Sequence, residues 1–265
     1  MPKLSIITIN RNNADGLRKT IDSVVTQTYT DFDYIIIDHA STDGSVDVIR
    51  KYCDRITYWI SEPDSGIYNA MNKGIRQAKG EYCLLLNSAD YLCHEHVLEQ
   101  VFRLNFHEDI VYGNTIDEYS DGKKHIKKYT QDLRLSFLFN SALPHQASFI
   151  KRVLFERIGC YNERYKYASD WEFCLLALVK HACSHLYIDT NVVYYDTSGI
   201  SCNIDNWNEM QEERHCIIRQ HFPLLYLDYV ELNKLRRTVQ HFDYKAYKVG
   251  RFILTPCRIA RKLFK

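Results

Sequence analysis

The chain has 265 residues, 46% of them hydrophobic, and a formal net charge of +1. That is enough apolar material for one large globular domain with an added tail, and it excludes a disordered chain. The opening "MPKLSIITIN" is too short and too soon interrupted by polar residues for a signal peptide, and no later run reaches the roughly 18 apolar residues of a spanning helix. The expected location is therefore cytoplasmic. The nine cysteines show no CxxC pair or zinc-type spacing, which predicts free, mostly buried thiols.

The charge is unevenly spread. Residues 231–265 hold ten Lys or Arg against two acids, net +8, so the first 230 carry 24 bases against 31 acids, net −7. The two regions are expected to meet different partners.

In chain order, "LSIITIN" reads as a buried strand, and "NNADGLRKTIDSVVTQ" as a helix with Leu17, Ile21, Val24 and Val25 at helical spacing. "DYIIIDHASTDGS" is a strand running into a Gly and Ser turn, "VDVIRKY" a helix and "RITYWI" a strand. A helix from Ile67 to Ala78, with Ile67, Ala70, Met71, Gly74, Ile75 and Ala78 on one stripe, leads into the strand of "YCLLLNSAD". Alternation of this kind with near-continuous apolar strands predicts a parallel sheet with helices on both faces.

Further on, "DIVYGNTIDEYSDGKKHIKKYT" reads as a hairpin turning at Asp121-Gly122. Then follow a strand "QASFI", a helix near "KRVLFERI", a helix starting about Ser169, and paired strands "HLYID" and "VVYYD". Antiparallel additions to the parallel core are the expectation.

In an open α/β sheet, ligands bind beyond the carboxyl ends of the strands. Four exits are polar: Thr8, Asn10 and Arg11 after the first strand, Asp38 after the second, Glu62 and Asp64 after the third, and Asn87, Ser88 and Asp90 after the fourth. Any one of these acids or amides alone would pass for a turn former or helix cap. Four in register point to one crevice. Neither the closely spaced glycines of a dinucleotide site nor a Walker A motif is present, so phosphate binding here calls for a metal ion, with Mg²⁺ or Mn²⁺ suited to Asp90 and diphosphate oxygens.

"LSIITINRNN", "IIIDHASTDGS", "SEPDSGIYNAMNKGIRQAKGEYCLLLNSAD", "LPHQASFI" and "YASDWEFCLLAL" fall in the order seen in the inverting GT-A glycosyltransferases of family 2. The resemblance covers about residues 3 to 200 and is strongest to bacterial members that build cell-surface polysaccharides. It implies a nucleotide-diphospho-sugar transferase fold: a mostly parallel central sheet flanked by helices, a small antiparallel addition and a helical C-terminal tail. The expected division is a catalytic domain over 1–205 and a basic extension over 206–265.

The resemblance also implies roles. Thr8, Asn10, Arg11 and Asp38 match positions that hold the nucleotide, Asp38 meeting the base, and Asp64 lies in a loop closing over the same part of the donor. Asp90 matches the last carboxylate of the DXD motif, which holds the metal. Three departures follow: Asn87 and Ser88 offer only neutral ligands in "NSAD", Met71 replaces an Arg in "NAMNKG" beside Asn72 so that one phosphate contact is either missing or supplied by Lys73, and His39 follows Asp38 where a second acid is usual.

Inverting transfer needs a base for the acceptor hydroxyl. Asp170 of "YASDWEF" matches the family's acid. Ser169 to Glu172 is also a capping box, which would orient the helix start and aim Asp170 at the crevice. His145 and Gln146 match a recurrent segment and are placed on the acceptor side; Trp171 either stacks on a sugar or fills the core. Gly199, in "DTSGIS", resembles a loop folding over the diphosphate.

The C-terminal "YKAYKVGRFILTPCRIARKLFK" interleaves basic and apolar residues, which suits an anionic membrane surface near a lipid-linked saccharide acceptor. No nucleic-acid module is recognised. The expected reaction is transfer from a UDP-sugar with inversion. The competing readings are a sugar nucleotidyltransferase, which would need a Gly-rich basic loop near the N-terminus, and a non-catalytic nucleotide- or glycan-binding relative with a degenerate metal motif.

Overall fold

The computed structural model describes residues 1–199, 202–235, 238 and 239. The first strand, β1 (Leu4–Asn10), is buried along its whole length, as a strand covered on both faces must be. Helix α1 (Ala14–Val25) starts where the Asn13 side chain accepts from the Gly16 N–H, and it buries Leu17, Thr20, Ile21 and Val24. Next come β2 (Phe32–Asp38), α2 (Ser45–Lys51), β3 (Tyr58–Ser61), α3 (Ile67–Gln77) and β4 (Tyr82–Leu85). β3, β2, β1 and β4 pair in that order, all parallel, as the alternation predicts.

The second half adds β5 (Tyr91–Leu92), α4 (Val97–Phe102), β6 (Ile110–Glu118), β7 (Lys124–Lys127), α5 (Leu135–Leu138), β8 (Ser148–Lys151), α6 (Arg152–Arg157), α7 (Ser169–Leu175) and β9 (His185–Asp196). β8 lies antiparallel between β4 and β6, and β6 and β7 form the expected hairpin. The whole sheet runs β3-β2-β1-β4-β8-β6-β9-β5, with β7 on β6.

One expectation is corrected. "HLYID" and "VVYYD" are not partners of each other but one 12-residue strand, β9, running parallel to β6. The register shifts around Gly113 absorb the residues that read as a turn. A Cβ on Gly113 would meet Val192 Cγ2 at 2.6 Å and Thr190 O at 2.7 Å, so only glycine admits this approach.

Leu4, Ile6, Tyr34, Ile36, Leu84 and Leu86 of the sheet pack with Leu17, Ile21 and Val24 of α1, each essentially free of solvent. Burial of this kind stabilises the fold by about 1.5–3 kcal/mol for each large aliphatic side chain. All eight described cysteines are unpaired, but only Cys83, Cys174 and Cys183 are buried. The thiols are therefore free, as expected, and less buried than expected.

The chain divides into two compact units, the first Met1–Arg214 and the second beginning at His215. Helix α8 runs from Trp207 to His221. Among the described residues no helix is long and apolar enough to cross a membrane.

Candidate active site

At the sheet's carboxyl edge, Asn10 pairs in register with Asp38, and Asp38 with Ser61. Asp38 is wholly buried, and its carboxylate accepts from Asn10 Nδ2 (2.7 Å), Ser41 Oγ (2.6 Å), Ser41 N (2.9 Å) and Ser61 Oγ (2.6 Å). Those four donors occupy its acceptor positions and tie three strand exits together. Thr8 is buried with its hydroxyl 3.1 Å from Tyr34 Oη, and Arg11 is exposed.

Asp64 lies 2.9 Å from His39 Nδ1 and accepts from the Gly66 N–H. Lys73 reaches Glu62 Oε1 at 2.6 Å and Pro63 O at 3.0 Å, fastening α3 to the loop after β3. Asn72 donates to Tyr161 O and Glu163 Oε1 and accepts from Tyr161 N, so it holds the 161–163 segment against α3.

A cleft opens at the exit of β4. Of the residues singled out from sequence, Asn87, Ser88, Asp90, His145, Gln146, Asp170 and Gly199 line it; Thr8, Asn10, Arg11, Asp38, Asp64, Asn72, Lys73 and Trp171 do not. Trp171 is a correction to the sugar-stacking alternative: it is 1% exposed, and its Nε1 donates to Leu138 O at 2.6 Å. It fills the core.

After β4 the chain turns so sharply that Ala89 takes φ +84°. A non-glycine residue in the left-handed region costs about 1–2 kcal/mol, and such strain collects at functional sites. Thr20 pins the turn: its hydroxyl donates to Asp90 O and lies 3.0 Å from the Ala89 N–H. The turn buries Asp90 to 3% exposure, with Oδ1 accepting from the Asp196 N–H at 2.9 Å. Burial pushes the Asp90 carboxyl up to about 7; the Asp196 N–H and the nearby His145 pull the other way.

Beside it, Asn87 Oδ1 is buried without a hydrogen-bond partner. A desolvated carboxylate and an orphaned amide oxygen are hard donors that a divalent cation would satisfy, so the residues fit one. No cluster of three His, Cys, Asp or Glu converges among the described residues, so such an ion would take its remaining ligands from substrate oxygens and water.

Across the cleft stands Asp170, its side chain 20% exposed. Oδ1 accepts from the Tyr68 hydroxyl and the Trp171 N–H, each at 2.9 Å, and Oδ2 lies 3.2 Å from His145 Nδ1. Burial pushes this carboxyl up, but His145, Tyr68 and the Trp171 N–H together outweigh it and hold the group below its ordinary value. Tyr68, pushed well above its ordinary value by burial and by Asp170, stays protonated and donates. His145 Nε2 lies 3.4 Å from Asn87 Nδ2, so the ring spans from the "NSAD" turn to Asp170. A proton on Nδ1 lets the ring donate to Asp170 Oδ2.

The serine half of the predicted capping box does not form. The N-cap of α7 is Ala168, without a side-chain bond, and Ser169 Oγ instead accepts from the Asn162 N–H at 2.5 Å. Tyr68 and Asp196 are site residues that sequence reasoning missed. Tyr68 lies next to Ile67 on α3, where burial would have been its only signal; Asp196 was read only as the start of a loop.

The sheet order and this cleft define a GT-A fold of the nucleotide-diphospho-sugar transferase type. Residues 5–165 match the family model described as glycosyl transferase family 2. The chain belongs to that family. It is 33% identical over 203 residues to an uncharacterized glycosyltransferase of Mycobacterium tuberculosis, covering 75% of this chain and 77% of that one. It is 32% identical over 204 residues to a PGL/p-HBAD biosynthesis glycosyltransferase of Mycobacterium bovis, covering 75% and 78%.

Among solved structures, S. aureus TarS 1-349 in complex with UDP matches with a TM-score of 0.63 at 18% identity, over 82% of this chain. The match spans 65% of the TarS 1-349 chain. The mannosyltransferase PcManGT from Pyrobaculum calidifontis, in complex with GDP-Man and Mn²⁺, matches with a TM-score of 0.60 at 18% identity, over 84% and 63% of the two chains. These likenesses establish the fold.

Proposed function

We propose that the protein transfers a sugar from a nucleotide-diphospho-sugar, a UDP-sugar in the first instance, to a hydroxyl of a lipid-linked saccharide with inversion, in surface polysaccharide synthesis. The observation that carries this reading is the convergence in one cleft of Asp90 with the unpartnered Asn87 oxygen and of Asp170 held ionised by His145 and Tyr68. The UDP and GDP-Man complexes of the structural neighbours support a nucleotide donor.

The acceptor hydroxyl oxygen attacks the anomeric carbon on the face opposite the diphosphate. As that C–O bond forms, the hydroxyl proton passes to Asp170, whose Oδ2 keeps a lone pair beside the His145 contact. The bond from the anomeric carbon to the diphosphate oxygen breaks, and the nucleoside diphosphate leaves with the electron pair. Tyr68 and His145 fix the carboxylate's orientation. Asp90 and Asn87 would hold a Mg²⁺ or Mn²⁺ ion, which would supply charge neutralisation on the diphosphate.

Incubation with UDP-, GDP- and dTDP-hexoses and a lipid-linked oligosaccharide tests this reading. The expected product carries the anomeric configuration opposite to the donor's, with one nucleoside diphosphate released per transfer. Retained configuration would sink the assignment of Asp170.

Membrane-surface contact belongs to the same proposal. Leu224 and Leu227 are 92% and 74% exposed in the second unit, while the basic, apolar-interleaved run 244–265 lies outside the described residues. The full chain is expected to float with phosphatidylglycerol vesicles at low salt, and to do so less as salt rises. Equal flotation with neutral phosphatidylcholine vesicles would count against it.

A further inference from the structure

The loop that delivers Asp170 to the cleft is held by a residue far along the chain. Lys166, Tyr167 and Ala168 immediately precede α7, and their three successive backbone N–H groups all point at one carboxylate. Glu213, on α8, accepts from Lys166 N through Oε1 at 2.7 Å, and from Tyr167 N and Ala168 N through Oε2 at 2.9 Å each. Three consecutive N–H groups form an anion-binding concavity, and here a side chain of the same chain fills it.

Two neighbours extend the grip. Glu209, one turn earlier on α8, accepts from the Tyr167 hydroxyl at 3.0 Å. Arg214 sets its guanidinium 5.0 Å from the centre of the Trp171 ring, the residue after Asp170. α8 thus holds the backbone two residues before Asp170 and the side chain one residue after it. Ser169, which sequence reading makes the cap of this helix, is bonded elsewhere, so the entry to α7 depends on Glu213. Glu213 also lies beyond residues 5–165, the part of the chain that matches the family model.

We propose that Glu213 is a positioning residue for transfer: by seating the 166–168 backbone it sets where the Asp170 carboxylate stands in the cleft. The inference rests on Asp170 being the base. Displacing a reacting group by about 1 Å costs on the order of 10²-fold in rate, while donor contacts on the far side of the cleft are untouched.

The test compares Glu213→Ala, Glu213→Gln and Glu213→Asp with Asp170→Asn in the full chain, measuring kcat, donor KM and Tm. For Glu213→Ala the expected result is a fall in kcat of roughly 10- to 100-fold with donor KM unchanged. Glu213→Gln should recover most of the loss, because one amide oxygen can still accept from Tyr167 and Ala168. If Glu213→Ala does not fold, Glu213→Asp decides: one methylene shorter, it should pull the loop and lower kcat at unchanged KM.

A folded Glu213→Ala or Glu213→Asp variant with wild-type kcat overturns the proposal, whatever its Tm. A loss seen equally in kcat and donor binding also overturns it, since the effect would then be general. Turnover by Asp170→Asn near wild type removes the base assignment itself, a separate failure.

Discussion

Asp170→Asn is expected to lower kcat by about 10²- to 10⁴-fold, the range that a positioned general base contributes. The substitution keeps shape and removes the basic lone pair. Its amide oxygen can still accept from the Tyr68 hydroxyl and the Trp171 N–H, and its NH₂ can face His145 once that ring changes tautomer. Fold and donor affinity should therefore survive while the proton acceptor is lost. A kcat loss without a rise in donor KM is the signature.

The wild-type pH profile carries a related expectation. His145, Tyr68 and the Trp171 N–H hold the Asp170 carboxyl below its ordinary value against the opposing effect of burial. A depressed carboxyl stays ionised down to its folded pKa, so Asp170 contributes no acid limb until the pH falls below the ordinary carboxylate range. The same depression stabilises the native state at pH values above the unfolded pKa, and that contribution fades only in more acid solution. Retention of near-wild-type transfer by Asp170→Asn would move the base role elsewhere in the cleft.

Asp90→Asn should separate metal from fold. The carboxylate is 3% exposed and accepts from the Asp196 N–H, and the Asn87 oxygen beside it is buried without a partner. A buried carboxylate so thinly compensated costs the free protein stability, so the metal-free variant should melt no lower than wild type. Metal-dependent donor affinity should fall by at least the roughly 10- to 100-fold that disturbing an outer-shell partner costs elsewhere. Loss of nucleotide binding together with a lowered Tm in the metal-free state would instead make Asp90 a structural residue of the turn.

The first half of the fold was legible because its signals are local. β1 to β4 are apolar runs, α1 and α3 carry their buried stripes within a dozen residues, and Asn13 caps α1 through a bond only three residues long. β9 was misread because its partner, β6, lies about 75 residues away and the extra β9 residues that bulge opposite Gly113 look locally like a turn. The site divides the same way. Asp90 and Asp170 stand in motifs, whereas Tyr68 meets Asp170 across 102 residues and Asp196 meets Asp90 across 106.

Ser169 to Glu172 fulfils the local rule for a capping box, and tertiary structure overrides it: Asn162 takes the serine, and Glu213 seats the preceding loop. Asp38 shows the limit from the other side. Its position at a strand exit was legible, yet four donors already surround its carboxylate, which no spacing rule could disclose.

Melting temperature against UDP, GDP, dTDP and CMP, each with and without Mn²⁺, addresses the donor site most directly. A ligand at 100 times its Kd adds about 2.7 kcal/mol to the native state, several degrees for a protein of this size. A rise with one nucleotide that requires Mn²⁺, and that Asp90→Asn abolishes, is the expected result. No rise with any of the four, at concentrations far above ordinary affinities, would contradict it and leave "NSAD" as the remnant of a lost metal site in a protein that no longer binds donor.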